Sequence, residues 1–146
     1  MNNSDAFDCP DEIAIVGMTG RFPGAKNIEQ FWQNLRDGVE SISFFSDEEL
    51  LSSGIDPDRL SQPQYVKAGA VLEDIELFDA SFFDFSPKEA QITDPQHRLF
   101  LESAWEALEE AGYDSQTYTG RIGVYAGVSL STYFLSNIYT KPEIIE

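Results

Sequence analysis

Two short stretches are apolar or glycine at every position: Ile13-Ala14-Ile15-Val16-Gly17-Met18 and Ile122-Gly123-Val124-Tyr125-Ala126-Gly127-Val128. A strand with one face in water alternates polar and apolar side chains. A strand apolar throughout is buried on both faces, which requires helices above and below the sheet. The pattern predicts an α/β domain with a layered, buried sheet. Val66 to Leu72, interrupted by Gly69, is a weaker strand. Two clear strands are few for a complete α/β domain, so the chain reads as part of a larger one.

The helices carry their own start and stop signals. Asn27 with Gln30 three residues on predicts a capped helix, with Ile28, Phe31, Trp32 and Leu35 on one face and Gly38 at its end. Ser46 with Glu49 predicts a second, closed by Gly54. Residues 55–65 read as loop with one helical turn. Ser86-Pro87-Lys88-Glu89 opens a short helix, with proline at the first helical position. Asp94-Pro95 then opens the strongest element, which runs to Gly112. On it Leu101, Ala104, Trp105, Leu108 and Ala111 form an apolar face opposite Glu102, Glu106 and Glu109. Ser129 to Tyr139 reads as helix or lining loop, and residues 1–11 as a disordered leader.

Charge and composition exclude several functions. The 26 acidic and 9 basic residues give a net charge of −17, which repels nucleic acid and anionic lipid. No apolar run reaches the roughly 18 residues of a membrane span, and the polar N-terminus is no signal peptide. With one cysteine, Cys9, and one histidine, His97, neither a disulfide framework nor a Cys/His zinc site can form. The expectation is a cytoplasmic protein. Its 146 residues suffice to bury roughly 68–70% of the unfolded surface.

Each candidate for chemistry reads as structural. Gly17, Gly20 and Gly24 follow a strand, but a dinucleotide fingerprint needs G-x-G-x-x-G opening directly into a helix. Here Thr19 stands at the second glycine, Pro23 intervenes, and the helix begins only at Asn27. The turn reads as one packed against a sheet. His97 falls on the apolar side of the long helix, where a packed, hydrogen-bonded histidine is expected. Arg98 opposes the helix dipole and calls for a carboxylate, from Asp94, Glu102 or elsewhere in the fold. Cys9 sits in an acidic leader that raises a thiol pKa. The glutamates at 102, 106 and 109 read as a solvated face. The residues by themselves single out no catalytic, cofactor-binding or metal-binding group.

Four blocks, in order, resemble the opening of a β-ketoacyl synthase domain of modular polyketide synthases. They are Ile13 to Ala25 with Phe31-Trp32 and Leu35; Phe78-Asp79-Ala80-Ser81-Phe82-Phe83 with Ser86 to Ala90; Asp94-Pro95-Gln96-His97-Arg98-Leu99 with Trp105 to Tyr113; and Gly120 with Gly123 to Gly127. Together they cover roughly residues 12 to 133. Thr93 departs from the family's common Met, and Asp84-Phe85 from its common Gly-Ile. The resemblance implies the N-terminal portion (residues 12–146) of a thiolase-like αβαβα fold. It implies a homodimer that condenses acyl and malonyl thioesters delivered on the phosphopantetheine arm of an acyl carrier protein, with no cofactor bound directly. The family's nucleophilic cysteine lies in a Thr-Ala-Cys-Ser-Ser-Ser tract, followed by two histidines, and none of these is in this chain. The resemblance puts Ser129 to Phe134 beside the acyl tunnel and dimer contact. A fragment of such a fold exposes apolar faces and open strand edges. A non-catalytic interaction module on the same scaffold is the alternative, and predicts a cooperative melt and a defined oligomer from these residues alone.

Overall fold

The computed structural model describes residues 12–141. The leader expected over residues 1–11, with Cys9, lies outside the described residues. The element order is α1 (Ile28–Asp37), β1 (Ser43–Phe44), α2 (Asp47–Ser52), α3 (Pro57–Leu60), β2 (Ala68–Gly69), α4 (Pro87–Ile92), α5 (Pro95–Glu110) and a π-helical turn (Phe134–Ile138).

The caps form where the side-chain chemistry places them. Asn27 accepts from the Gln30 amide, and Gly38 ends α1 in the left-handed region at φ 67. Ser46 with Glu49 and Ser86 with Glu89 form reciprocal capping boxes. In both, the donors bonded to the glutamate carboxyl hold its pKa below the usual range. Asp56 caps the single turn α3. Asp94 caps α5 with Pro95 at its first position, and α5 ends two residues short of Gly112, which takes φ 73. These are local interactions, which a short window of sequence can specify.

The sheet differs from expectation. Neither Ile13–Met18 nor Ile122–Val128 is paired with another strand; both run without regular secondary structure. Ile13 is 95% and Tyr125 97% exposed. A strand needs neighbouring strands for its N–H and C=O groups, and the described residues supply no such strand to either segment. The sheet that does form is an antiparallel pair, Ser43 opposite Gly69 and Phe44 opposite Ala68. It falls within the weaker strand candidate and a segment with no strand signal.

The core is correspondingly sparse. Among the described residues the buried apolar side chains are Ala25, Leu60 and Ile138. The accessible surface is 12057 Å² for a 16.4 kDa chain. A compact monomer of that mass exposes roughly 7,500 Å² and its unfolded chain roughly 24,000 Å². The chain therefore buries about half of its unfolded surface rather than the 68–70% of an ordinary domain.

What packing exists converges on α5. Phe82 meets Trp105 edge to face, ring centroids 4.7 Å apart, and Phe78, Phe83 and Phe85 continue that cluster. The loop carrying these aromatics turns through Asp84 at φ 57. Glycine takes that conformation without strain, and an aspartate tolerates it better than most other residues. Phe22 stacks on Phe31 at 4.0 Å, which holds the glycine turn against α1.

Candidate functional site

Helix α5 is the organising element, and two segments distant in sequence are bonded to it. The first is the glycine turn. The Met18 amide donates to the Glu110 carboxylate at 2.6 Å, and the Thr19 hydroxyl donates to the Ser103 carbonyl at 2.8 Å. Arg21 grips both oxygens of Glu106, one of them from Nη1 at 2.9 Å. A Cβ on Gly17 would lie 2.6 Å from the Ala107 carbonyl oxygen and 3.2 Å from the Ala111 Cβ. Gly17 is thus a close-approach glycine, and its partner is a helix rather than the expected sheet. Gly24 takes φ 68, and its carbonyl accepts from the Asn34 side chain at 2.9 Å.

These contacts speak against a phosphate cradle. Such a cradle aims free amides at an anion beside a helix N-terminus. Here the Met18 amide is occupied by a carboxylate, and the flanking groups on α5 are Glu106 and Glu110.

The second segment is residues 129–134. Asp94, only 7% exposed, accepts from the Gln96 amide at 2.8 Å and from the Ser131 hydroxyl at 2.5 Å. Burial raises its pKa, but the bonds from Ser131 and Gln96 outweigh this and the net shift is downward. Gln96 accepts from the Ser129 hydroxyl at 2.9 Å, and Tyr133 donates to the Gln91 carbonyl at 2.6 Å. The DPQ segment and the start of the π-helical turn therefore form one hydrogen-bonded junction. Spacing could not reveal it, since Asp94 and Ser131 are 37 positions apart.

Other sequence expectations need correction. His97 is exposed, not packed. The helix turns its apolar stripe so that Arg98, 8% exposed, takes the inward place. Arg98 makes no ion pair among the described residues. Its Nη1 donates to the Glu76 carbonyl at 3.4 Å, and its buried Nε has no partner. Of the carboxylates expected to compensate it, Glu102 feels its charge without touching it. Nor do the glutamates form one solvated face. Glu109 is exposed, but Glu106 is bound by Arg21, whose bond lowers the carboxyl pKa and raises that of Arg21. Glu102 is half-buried, and desolvation raises its pKa. The run of glutamates carried no signal for this, because the partner, Arg21, is 85 residues away.

A cavity of about 340 Å³ lies beside the C-terminal end of α5, walled by Trp105, Leu108, Glu109 and Tyr113. Neither histidine nor cysteine lines it. Among the described residues no group of three His, Cys, Asp or Glu side chains could hold a metal ion, and no helix is long and apolar enough to cross a membrane. The geometry built around α5 is a scaffold that pins two loops.

Known proteins are similar to this chain in sequence and in fold. The family model for the N-terminal domain of β-ketoacyl synthases matches residues 10–144. A phenolphthiocerol/phthiocerol polyketide synthase protein of Mycobacterium tuberculosis is 52% identical over 126 residues, which is 86% of this chain and 8% of that protein. Polyketide synthase PksN of Bacillus subtilis is 44% identical over 123 residues, 84% of this chain and 2% of that protein. Among solved structures, ketosynthase twelve of the bacillaene polyketide synthase of Bacillus amyloliquefaciens superposes with a TM-score of 0.59 at 49% identity. The match covers 66% of this chain and 17% of that structure. The module 6 ketosynthase of the Bacillus subtilis bacillaene synthase gives 0.60 at 41% identity, over 71% and 17%. The chain thus carries part of the layered, thiolase-like fold of ketosynthase domains, and spans less than a fifth of the ketosynthase structures it matches.

Proposed function

This chain belongs to the β-ketoacyl synthase family, and we propose that it is the N-terminal scaffold of a polyketide chain-extending ketosynthase, with residues 12–146 as one part of that domain. The observation that carries this reading is the convergence of the sequence blocks on α5. The glycine turn, the aromatic loop and residues 129–134 each bond to or pack on the DPQHR helix or its N-terminal junction.

In the complete enzyme a cysteine thiolate outside these residues attacks the acyl thioester of a carrier protein. The carrier's phosphopantetheine thiol leaves and an acyl-enzyme thioester forms. A malonyl thioester then loses carbon dioxide, and the resulting carbanion attacks the acyl carbonyl. The cysteine thiolate is released and the chain is two carbons longer. Covalent capture divides one hard condensation into two easier steps. The two histidines that support decarboxylation also lie outside this chain, and no residue here is assigned a catalytic role. These residues position the acyl-binding wall, with Ser129 to Phe134 bordering the acyl tunnel and the contact between two copies of the domain. An acidic carrier docks on basic residues outside this chain, whose own charge of −17 would repel it.

The test is acyl loading followed by mass spectrometry. An acyl-pantetheine thioester adds one acyl group to the cysteine of the complete domain, and leaves Cys9 of the 146-residue chain unmodified. Acylation of the short chain overturns the reading. A cooperative melt with a defined oligomer from the short chain favours a self-sufficient interaction module instead.

A further inference from the structure

We infer that Asp94 is a positioning residue, which acts through Ser131 to fix the residue 129–134 segment and so sets the fit of the acyl chain. This rests on the reading that the segment borders the acyl tunnel. Asp94 serves two helical starts with one carboxylate. One oxygen accepts from the Gln96 amide and caps α5. The other accepts the proton of Ser131 at 2.5 Å and, at 3.4 Å, a bond from the Gln96 side chain. With its proton committed, the Ser131 oxygen accepts from the Phe134 amide at 3.1 Å and starts the helical turn that begins at Thr132. Gln96, bonded to Asp94, holds Ser129. Tyr133 reaches back to Gln91.

Three alternate residues, 129, 131 and 133, are therefore tied to the α4–α5 junction. The residues between them, Leu130 and Thr132, are exposed, Leu130 by 79%. A turn of π-helix follows directly, a geometry that recurs at functional sites. Chained hydrogen bonds of this kind act as a unit, so loss of one link loosens the whole segment.

The variants separate positioning from folding. Asp94→Asn keeps an oxygen to cap α5, since asparagine caps as well as aspartate. It presents its amide NH2 to Ser131, however, a donor where the wild-type carboxylate accepts, which reverses that bond. Ser131→Ala removes the link from the other side, and Ser131→Thr restores a hydroxyl. Leu130→Ala tests the tunnel reading itself. The measurement is acylation of the complete ketosynthase domain by acetyl- and octanoyl-pantetheine thioesters. In single-turnover acylation, Asp94→Asn and Ser131→Ala should each lower the ratio of octanoyl to acetyl acylation efficiency about tenfold. The double variant should match either single one, and Ser131→Thr should recover most of the loss. A shift for Leu130→Ala without one for Asp94→Asn or Ser131→Ala overturns the positioning role and leaves the tunnel reading standing. No shift for any of the three overturns both. Equal loss with both probes, tracking a lower Tm, identifies a purely structural contact and also overturns the inference.

Discussion

The contact between Gly17 and α5 can be tested by adding a single methyl group. In Gly17→Ala the new Cβ would stand 2.6 Å from the Ala107 carbonyl oxygen, where ordinary contact begins at 3.4 Å. The two backbones must therefore separate by about 0.8 Å, the difference of those distances. Neither side can yield cheaply, because the Ala107 carbonyl already accepts from the Ala111 amide in the last turn of α5 and the glycine turn is tied on by Met18 to Glu110 and Thr19 to Ser103. Overpacking of this kind costs about 1–3 kcal/mol. Loss of the Thr19 bond adds about 0.5–1.5 kcal/mol, and the stiffer unfolded chain returns about 0.4–1 kcal/mol. The expected net loss is about 2–3 kcal/mol. Urea unfolding of the complete ketosynthase domain measures it, with Gly69→Ala as control. There the added methyl meets only the Phe45 ring at 3.7 Å, and the effect should stay within about 0.5 kcal/mol. Equal stabilities for the two variants would refute the close-approach account of Gly17.

The Arg21–Glu106 pair gives a pH signature. Arg21 holds the Glu106 carboxyl below its ordinary pKa, so its contribution is present above the unfolded carboxylate range and lost as pH falls through the lowered value. Solvent screening keeps it below about 1 kcal/mol; Glu106→Gln should flatten that part of an acid-unfolding profile. Glu102 has the opposite sign, since burial raises its pKa and its charged form disfavours folding above the ordinary carboxylate range. Glu102→Gln should therefore leave stability at neutral pH unchanged or higher, as read by thermal unfolding. At Asp84, held at φ 57, glycine should be tolerated without loss, whereas Asp84→Val should cost about 1–2 kcal/mol in the same assay. The 146-residue chain alone should bind an apolar dye and melt without a sharp transition, because roughly 4,500 Å² more surface is exposed than in a compact monomer of its mass; a calorimetric two-state melt would contradict this.

Local chemistry was legible from residue order alone. The caps at Asn27, Ser46, Ser86 and Asp94, the prolines at 87 and 95, and the stop at Gly38 all form as the pattern dictates. Each depends on atoms within a few residues. The four family blocks were equally legible, because they are matches of residue type and order. The apolar runs at 13–18 and 122–128 announced buried strands, yet both lie exposed and unpaired. A run of apolar residues records the environment a segment is built for, whereas a strand exists only when its neighbours are present. Only the tertiary structure brought together pairs far apart in sequence: Arg21 with Glu106, Gly17 with Ala107, Ser131 with Asp94. It also turned Arg98 inward and His97 to solvent. Helical periodicity ranks the faces of a helix, but which face is covered depends on what the rest of the chain lays against it.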